Sequence, residues 1–101
     1  MHIIFDTNVL LKNPALITQY KNSIVITPTI LNELDYRKKD SIHGMNASIA
    51  INNIEKDEVA VSKPIINNEK INNDIRILKE AISQYNVKDI QIVSDDAGMR
   101  L

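Results

Sequence analysis

Cysteine is missing from the 101 residues, which excludes disulfides and zinc-thiolate sites, and two histidines, His2 and His43, are too few for a conventional structural zinc site. Any metal must be held by oxygen. Aromatic residues make up only 4%, leaving few platforms on which unpaired bases could stack. No apolar run is long enough to span a bilayer and no basic-then-apolar signal segment opens the chain, so no membrane association is expected and a cytoplasmic location is the default. A charge excess is lacking too. Twelve basic and 13 acidic side chains give a formal net charge of -1, so a polyanion-binding surface would have to arise from local distribution.

What is present is ordinary for a globular domain: 44% hydrophobic and 25% charged residues, enough for one compact core spanning residues 1–101. His2-Ile3-Ile4-Phe5 is apolar on both faces and too brief for a helix, as suits a central parallel strand. Thr7 to Leu11 starts a short helix ended by Asn13-Pro14, Ala15 to Tyr20 forms another, and Ser23 to Thr27 reads as a second buried strand. Strand, helix, strand implies a parallel crossover. A helix with a threonine cap and proline in its first turn follows from Thr27-Pro28 to about Lys39. Residues Asn46 to Lys56 carry a third helical pattern, apolar at Ile49, Ala50 and Ile54, and Glu58 to Ser62 suits an edge strand. Lys63 to Asn72 reads as a loop. From Asn73-Asp74 a further helix has its apolar positions at Ile77, Leu78, Ala81, Ile82 and Tyr85, and Ile90 to Val93 makes the last strand.

Acids stand at the ends of these elements. Asp6 and the pair Asp95-Asp96 directly follow apolar strands, at what is the binding edge of an open parallel sheet. Glu33 lies one turn beyond Ile30, and Asp74 lies three and four residues before Ile77 and Leu78, so both sit beside an apolar stripe. Were all to converge, two carboxylates ~5 Å apart would repel by roughly 3 kcal/mol at an effective dielectric near 20. A hard divalent cation with oxygen ligands, Mg²⁺ or Mn²⁺, is the natural neutralising partner. Each acid has a plainer reading: Asp6 as a helix cap, Asp74 as a first-turn acid, Asp95 or Asp96 as turn formers, Glu33 as a solvated surface residue.

Four segments resemble a PIN domain: Phe5 to Leu11, Pro28 to Asp35, Asp74 to Leu78, and Ile92 to Asp96. The wording is most similar to the PIN modules ahead of PhoH-type ATPases, which share the Asp-Thr-Asn-Val-Leu-Leu opening and the Glu-Leu-Asp helix. The resemblance implies an α/β fold, a three-layer open parallel sheet with helices on both faces, here in a short or C-terminally incomplete version. It implies Asp6, Glu33, Asp74 and Asp96 as catalytic, metal-binding acids, with Asp95 as an extra acid and Thr7, Asn8 and Ser94 orienting them. The implied activity is metal-dependent endoribonuclease cleavage of single-stranded RNA, leaving a 5′-phosphate and a 3′-hydroxyl, with DNA left open. Arg37, Lys38, Lys39, Arg76 and Arg100 are the cations available to the substrate backbone. The plainer reading has them answer a helix dipole, solubilise the surface or, for Arg76, brace an acid.

Two rival readings stand beside the nuclease. One is a catalytically weak PIN-like RNA-binding or assembly module, in which a second copy or a partner chain covers the short C-terminal edge. The other is a small α/β domain whose acids only cap helices and shape turns. An inhibitor protein of the antitoxin kind is a further partner for which the sequence leaves room.

Overall fold

The computed structural model describes residues 1–62 and 73–94; the expected loop from Lys63 to Asn72 lies outside them. The described chain runs β1 (His2–Phe5), α1 (Thr7–Lys12), α2 (Leu16–Gln19), α3 (Pro28–Arg37), α4 (Gly44–Lys56), α5 (Asn73–Ile82) and β2 (Ile90–Val93). It is an α/β fold with a small parallel sheet. Among the described residues no helix is long and apolar enough to cross a membrane.

β1 and β2 pair in parallel, with His2 beside Ile90 and Phe5 beside Val93. On the other side of β1, Ile3 donates to the Ser23 carbonyl and accepts from the Val25 N–H, both at 2.8 Å. One step further out, Ile26 bridges Val61 in parallel. The segments therefore lie in the order Val61, Ile24 to Ile26, β1, β2. Of the expected strand from Ser23 to Thr27, Ser23 belongs to the preceding turn and Ile24 to Thr27 are buried; the segment divides its pairing between two neighbours and makes a single bridge to each instead of a continuous ladder. The strand order reverses between β1 and β2. In a parallel sheet that reversal opens a crevice at the carboxyl ends of the two strands, which here are Asp6 and Ser94.

The core gathers Ile4, Phe5, Leu10, Ile26, Ile30, Leu34, Ala47, Ala50 and Ile77 with their neighbours. α4 is tied to the first two helices by polar side chains as well as by packing. Asn46 donates to the Leu11 carbonyl at 2.7 Å, Asn53 to the Pro14 carbonyl at 3.1 Å, and Thr18 to Asp57 at 2.7 Å. The Asn46 amide thereby partners a carbonyl in the last turn of α1, and Asn53 adds a second donor to the Pro14 carbonyl, which also accepts from the Ile17 N–H. α4 begins at Gly44, two residues before the expected start, because the chain turns against the end of α3 there. A Cβ on Gly44 would stand 2.6 Å from the Lys38 carbonyl oxygen.

Two expected apolar positions face solvent: Ile49 on α4 and Ile82 on α5. On α4 the buried face runs through Ala47, Ala50 and Ile54. On α5 the helix is rotated so that Glu80 joins Ile77 and Ala81 inside.

Candidate functional site

The crevice is built by the residues that leave each strand. β1 ends at Phe5, whose ring tilts against Tyr20, and the next residue, Asp6, is buried at 5% exposure. Asp6 occupies the cap position of α1 but makes no side-chain cap hydrogen bond. Its Oδ2 instead accepts from Ser94 Oγ at 3.1 Å, across 88 residues of chain, and its N–H donates to the Val93 carbonyl at 2.9 Å. The carboxylate is thus held over the switch point by the strand beside it. The capping reading of Asp6 does not describe it.

Thr7, also buried, turns the other way and donates from Oγ1 to Glu33 Oε1 at 2.9 Å. Glu33 is half-buried on α3. One hydroxyl grips each carboxylate, and the two grips start from adjacent residues at the head of α1. Among the described residues no lysine or arginine forms an ion pair with Asp6 or Glu33. Each carboxylate keeps its second oxygen free of any described hydrogen bond.

α3 starts where it does because its first turn is fully provided for. Pro28 has no N–H to satisfy, Thr27 Oγ1 accepts from the Ile30 N–H at 3.3 Å, and the Thr29 N–H donates to Glu80 Oε1 at 3.2 Å. Glu80, on α5, is 2% exposed and also lacks a described ion pair. It is the acid that sequence reasoning missed. The signal was available, because Glu80 stands three residues after Ile77 on the stripe that packs inward.

Glu80 fixes how α5 lies on α3, with its later residues against the first turn of α3. Between the helices is a groove of about 660 Å³, lined on α3 by Asn32, Glu33, Tyr36 and Arg37 and on α5 by Asn73, Arg76 and Glu80. Asp74 is the second residue of α5, next to the groove-lining Asn73. Its side chain lies outside the described set, as do Asp95, Asp96 and Arg100 entirely. Asn8 is exposed on α1. Two of the predicted cations have carboxylate partners: Arg37 pairs with Asp40 at 2.7 Å, and Lys38 with Asp35 at 3.0 Å. Lys39 is exposed, and Arg76 is half-buried in the groove wall.

Of the predicted residues the structure therefore joins Asp6 to Ser94 and Thr7 to Glu33 in one place. Among the described residues no three acid or histidine side chains stand close enough to share an ion. The donor chemistry nevertheless suits a hard divalent cation. Among the described residues Asp6 and Glu33 each offer a carboxylate oxygen without a hydrogen bond and form no ion pair, and no thiolate is available.

Comparison with known proteins agrees with the architecture. A family model described as a PIN domain matches residues 3–101. No curated protein and no solved structure matches significantly.

Proposed function

Because this chain belongs to the PIN-domain family, whose members are generally metal-dependent nucleases, we propose that it is an endoribonuclease that hydrolyses single-stranded RNA with Mg²⁺ or Mn²⁺. The observation that carries the reading is the pair of hydroxyl grips: Ser94 on Asp6 and Thr7 on Glu33. Among the described residues neither carboxylate forms an ion pair with a lysine or arginine, and a hydroxyl fixes the orientation of each, as suits a site that serves a ligand.

Asp6 and Glu33 would hold the ion, with Asp74 and Asp96 as the further acids of the set and Asp95 beside them. An ion held there would supply positive charge to lower the pKa of a water molecule and to offset the negative charge that gathers on the phosphodiester. The chain's own work is positional. Ser94 fixes the orientation of the Asp6 carboxylate, Thr7 fixes that of Glu33, and burial of Asp6 keeps bulk water from competing for its oxygens. Asn8, the exposed neighbour of Thr7 on α1, would help to orient the acids. Arg76 and Lys39, with Arg37 and Lys38 after exchange of their carboxylate partners, draw the substrate backbone to an acidic centre, and Arg100 adds a further cation.

Incubation of the full chain with labelled single-stranded RNA and Mn²⁺ tests the reading. Products bearing 5′-phosphates, formed only with added metal and lost in Asp6→Asn, support it. Cleavage that survives EDTA, or that Asp6→Asn leaves intact, would overturn it. Binding without any cleavage would favour a non-catalytic RNA-binding module instead.

A further inference from the structure

The chain has four aromatic residues of the Phe, Tyr and Trp kind, and three of them are engaged. Phe5 packs on Tyr20 with ring centroids 5.5 Å apart, and Tyr85 packs on His2 at 4.1 Å. The fourth, Tyr36, has no ring partner and is 78% exposed. It projects from α3 three residues after Glu33, on the helix face that also carries Thr29, Asn32 and Arg37. That face forms one wall of the groove between α3 and α5.

Tyr36 also lines a second cavity, of about 470 Å³, which it shares with Arg37, Lys39 and Asp40. Tyr36 and Arg37 are common to both cavities and so form the ridge between them. On one side of the ridge stand Glu33 and Arg76; on the other stands Lys39. A flat apolar ring with cations to either side, one helical turn or about 5 Å from a site carboxylate, meets the two requirements of single-strand recognition. Those are a surface on which a base can stack and positive charge for the flanking phosphates.

We propose that the Tyr36 ridge is a base-stacking subsite that holds one unpaired base of a single-stranded nucleic acid next to the acid site, with flanking phosphates at Arg76 and at Lys39. The proposal rests on the nuclease reading for the class of polymer and adds the basis on which single strands are preferred. Bases in a duplex are already stacked on one another and present no free face to the ring.

The test compares two labelled ligands of equal length, an oligouridylate and an abasic sugar-phosphate chain, by fluorescence anisotropy with Ca²⁺ present. The wild-type protein binds the oligouridylate about 5- to 150-fold more tightly than the abasic chain, the range one base-aromatic stack supplies. Tyr36→Phe keeps that preference, and Tyr36→Ala loses it while binding the abasic chain as the wild type does. Truncating an exposed side chain leaves the core as it was, so the unfolding midpoint of Tyr36→Ala matches the wild type and a folding defect is separable. A base preference that persists in Tyr36→Ala, or a wild-type protein that binds both ligands equally or neither, overturns the proposal. Failure of the nuclease reading looks different: no Mn²⁺-dependent cleavage by the wild type, with the Tyr36-dependent base preference intact.

Discussion

Asp6 is 5% exposed, and its carboxylate, oriented by Ser94, carries the charge that a cation at this site would need. Asp6→Asn keeps an oxygen to accept from Ser94 and removes that charge. In EDTA the variant is expected to stay within about 1 kcal/mol of the wild type, because the hydrogen bond from Ser94 is kept. Mn²⁺ at a hundred times its dissociation constant raises the wild-type stability by about 2.7 kcal/mol and leaves Asp6→Asn unchanged. Thermal melts with and without Mn²⁺ check both, and a variant that still responds to Mn²⁺ contradicts the site. Thr7→Val is the complementary probe. It removes the hydroxyl from Glu33 at nearly constant volume, so cleavage falls about 10- to 100-fold, the usual cost of losing a supporting hydrogen bond at a metal site, with stability changed by about 1 kcal/mol. At this scale the sequence reveals which residues carry chemistry, because an acid directly after an apolar strand is a local signal. The pairings are not local. Ser94 reaches Asp6 across 88 residues and Thr7 reaches Glu33 across 26; the pairing of β2 with β1 brings the first two together and the packing of α1 on α3 the second two.

Elements were legible where pattern and caps agreed, as with α3, whose threonine cap and first-turn proline both hold in place. They were less so where tertiary contact chose among similar faces. On α5 the periodicity admits Ile82 or Glu80 beside Ile77 and Ala81, and the helix buries Glu80 because the first turn of α3 offers it an N–H and the favourable end of a helix dipole. Glu80→Gln preserves the acceptor and is expected to cost less than about 1 kcal/mol, whereas Glu80→Ala strands the Thr29 N–H in a buried place and costs about 1–3 kcal/mol. Urea unfolding of the two variants measures the difference, and equal losses would mean that the cap carries no weight. The junction of α3 and α4 depends on close approach. Gly44→Ala presses a methyl against the Lys38 carbonyl at 2.6 Å, and a loss of about 1–3 kcal/mol follows, since the contact is backbone and cannot swing aside. In the same turn the Ile42 N–H, followed by Arg37, holds the Asp40 carboxyl below its ordinary value of 3.8. A depressed carboxyl stabilises the fold above its unfolded pKa, so this contribution is complete at neutral pH and disappears as the pH falls below 3.8.

For the whole molecule the difficulty is attraction. A chain of net charge -1, with Asp6 and Glu33 at the centre of its proposed site, has no overall field to draw a polyanion, so capture falls to the cations around α3 and the groove. Their present partners are weak competitors. Arg37 with Asp40 and Lys38 with Asp35 are i,i+3 pairs whose side chains remain partly in solvent, and such pairs contribute about 0–1 kcal/mol. A phosphate can therefore take over each cation at little cost, and the planar guanidinium of Arg37 has donors to spare beyond the one given to Asp40. If Arg37, Lys38, Lys39 and Arg76 each meet one phosphate, the logarithm of the single-strand binding constant falls with the logarithm of salt concentration with a slope of about -3, at roughly -0.7 per contact. Lys39→Ala removes one contact and no described ion pair, so its slope is shallower by about 0.7 while its melting temperature is unchanged. Anisotropy titrations of a short oligouridylate between about 50 and 200 mM KCl, the range over which such contacts weaken measurably, read both slopes. A wild-type slope near zero would remove the α3 cations from substrate capture, and an unchanged slope in Lys39→Ala would remove that residue alone. Charge capture and ring stacking then separate cleanly, because salt moves the first and base removal moves the second.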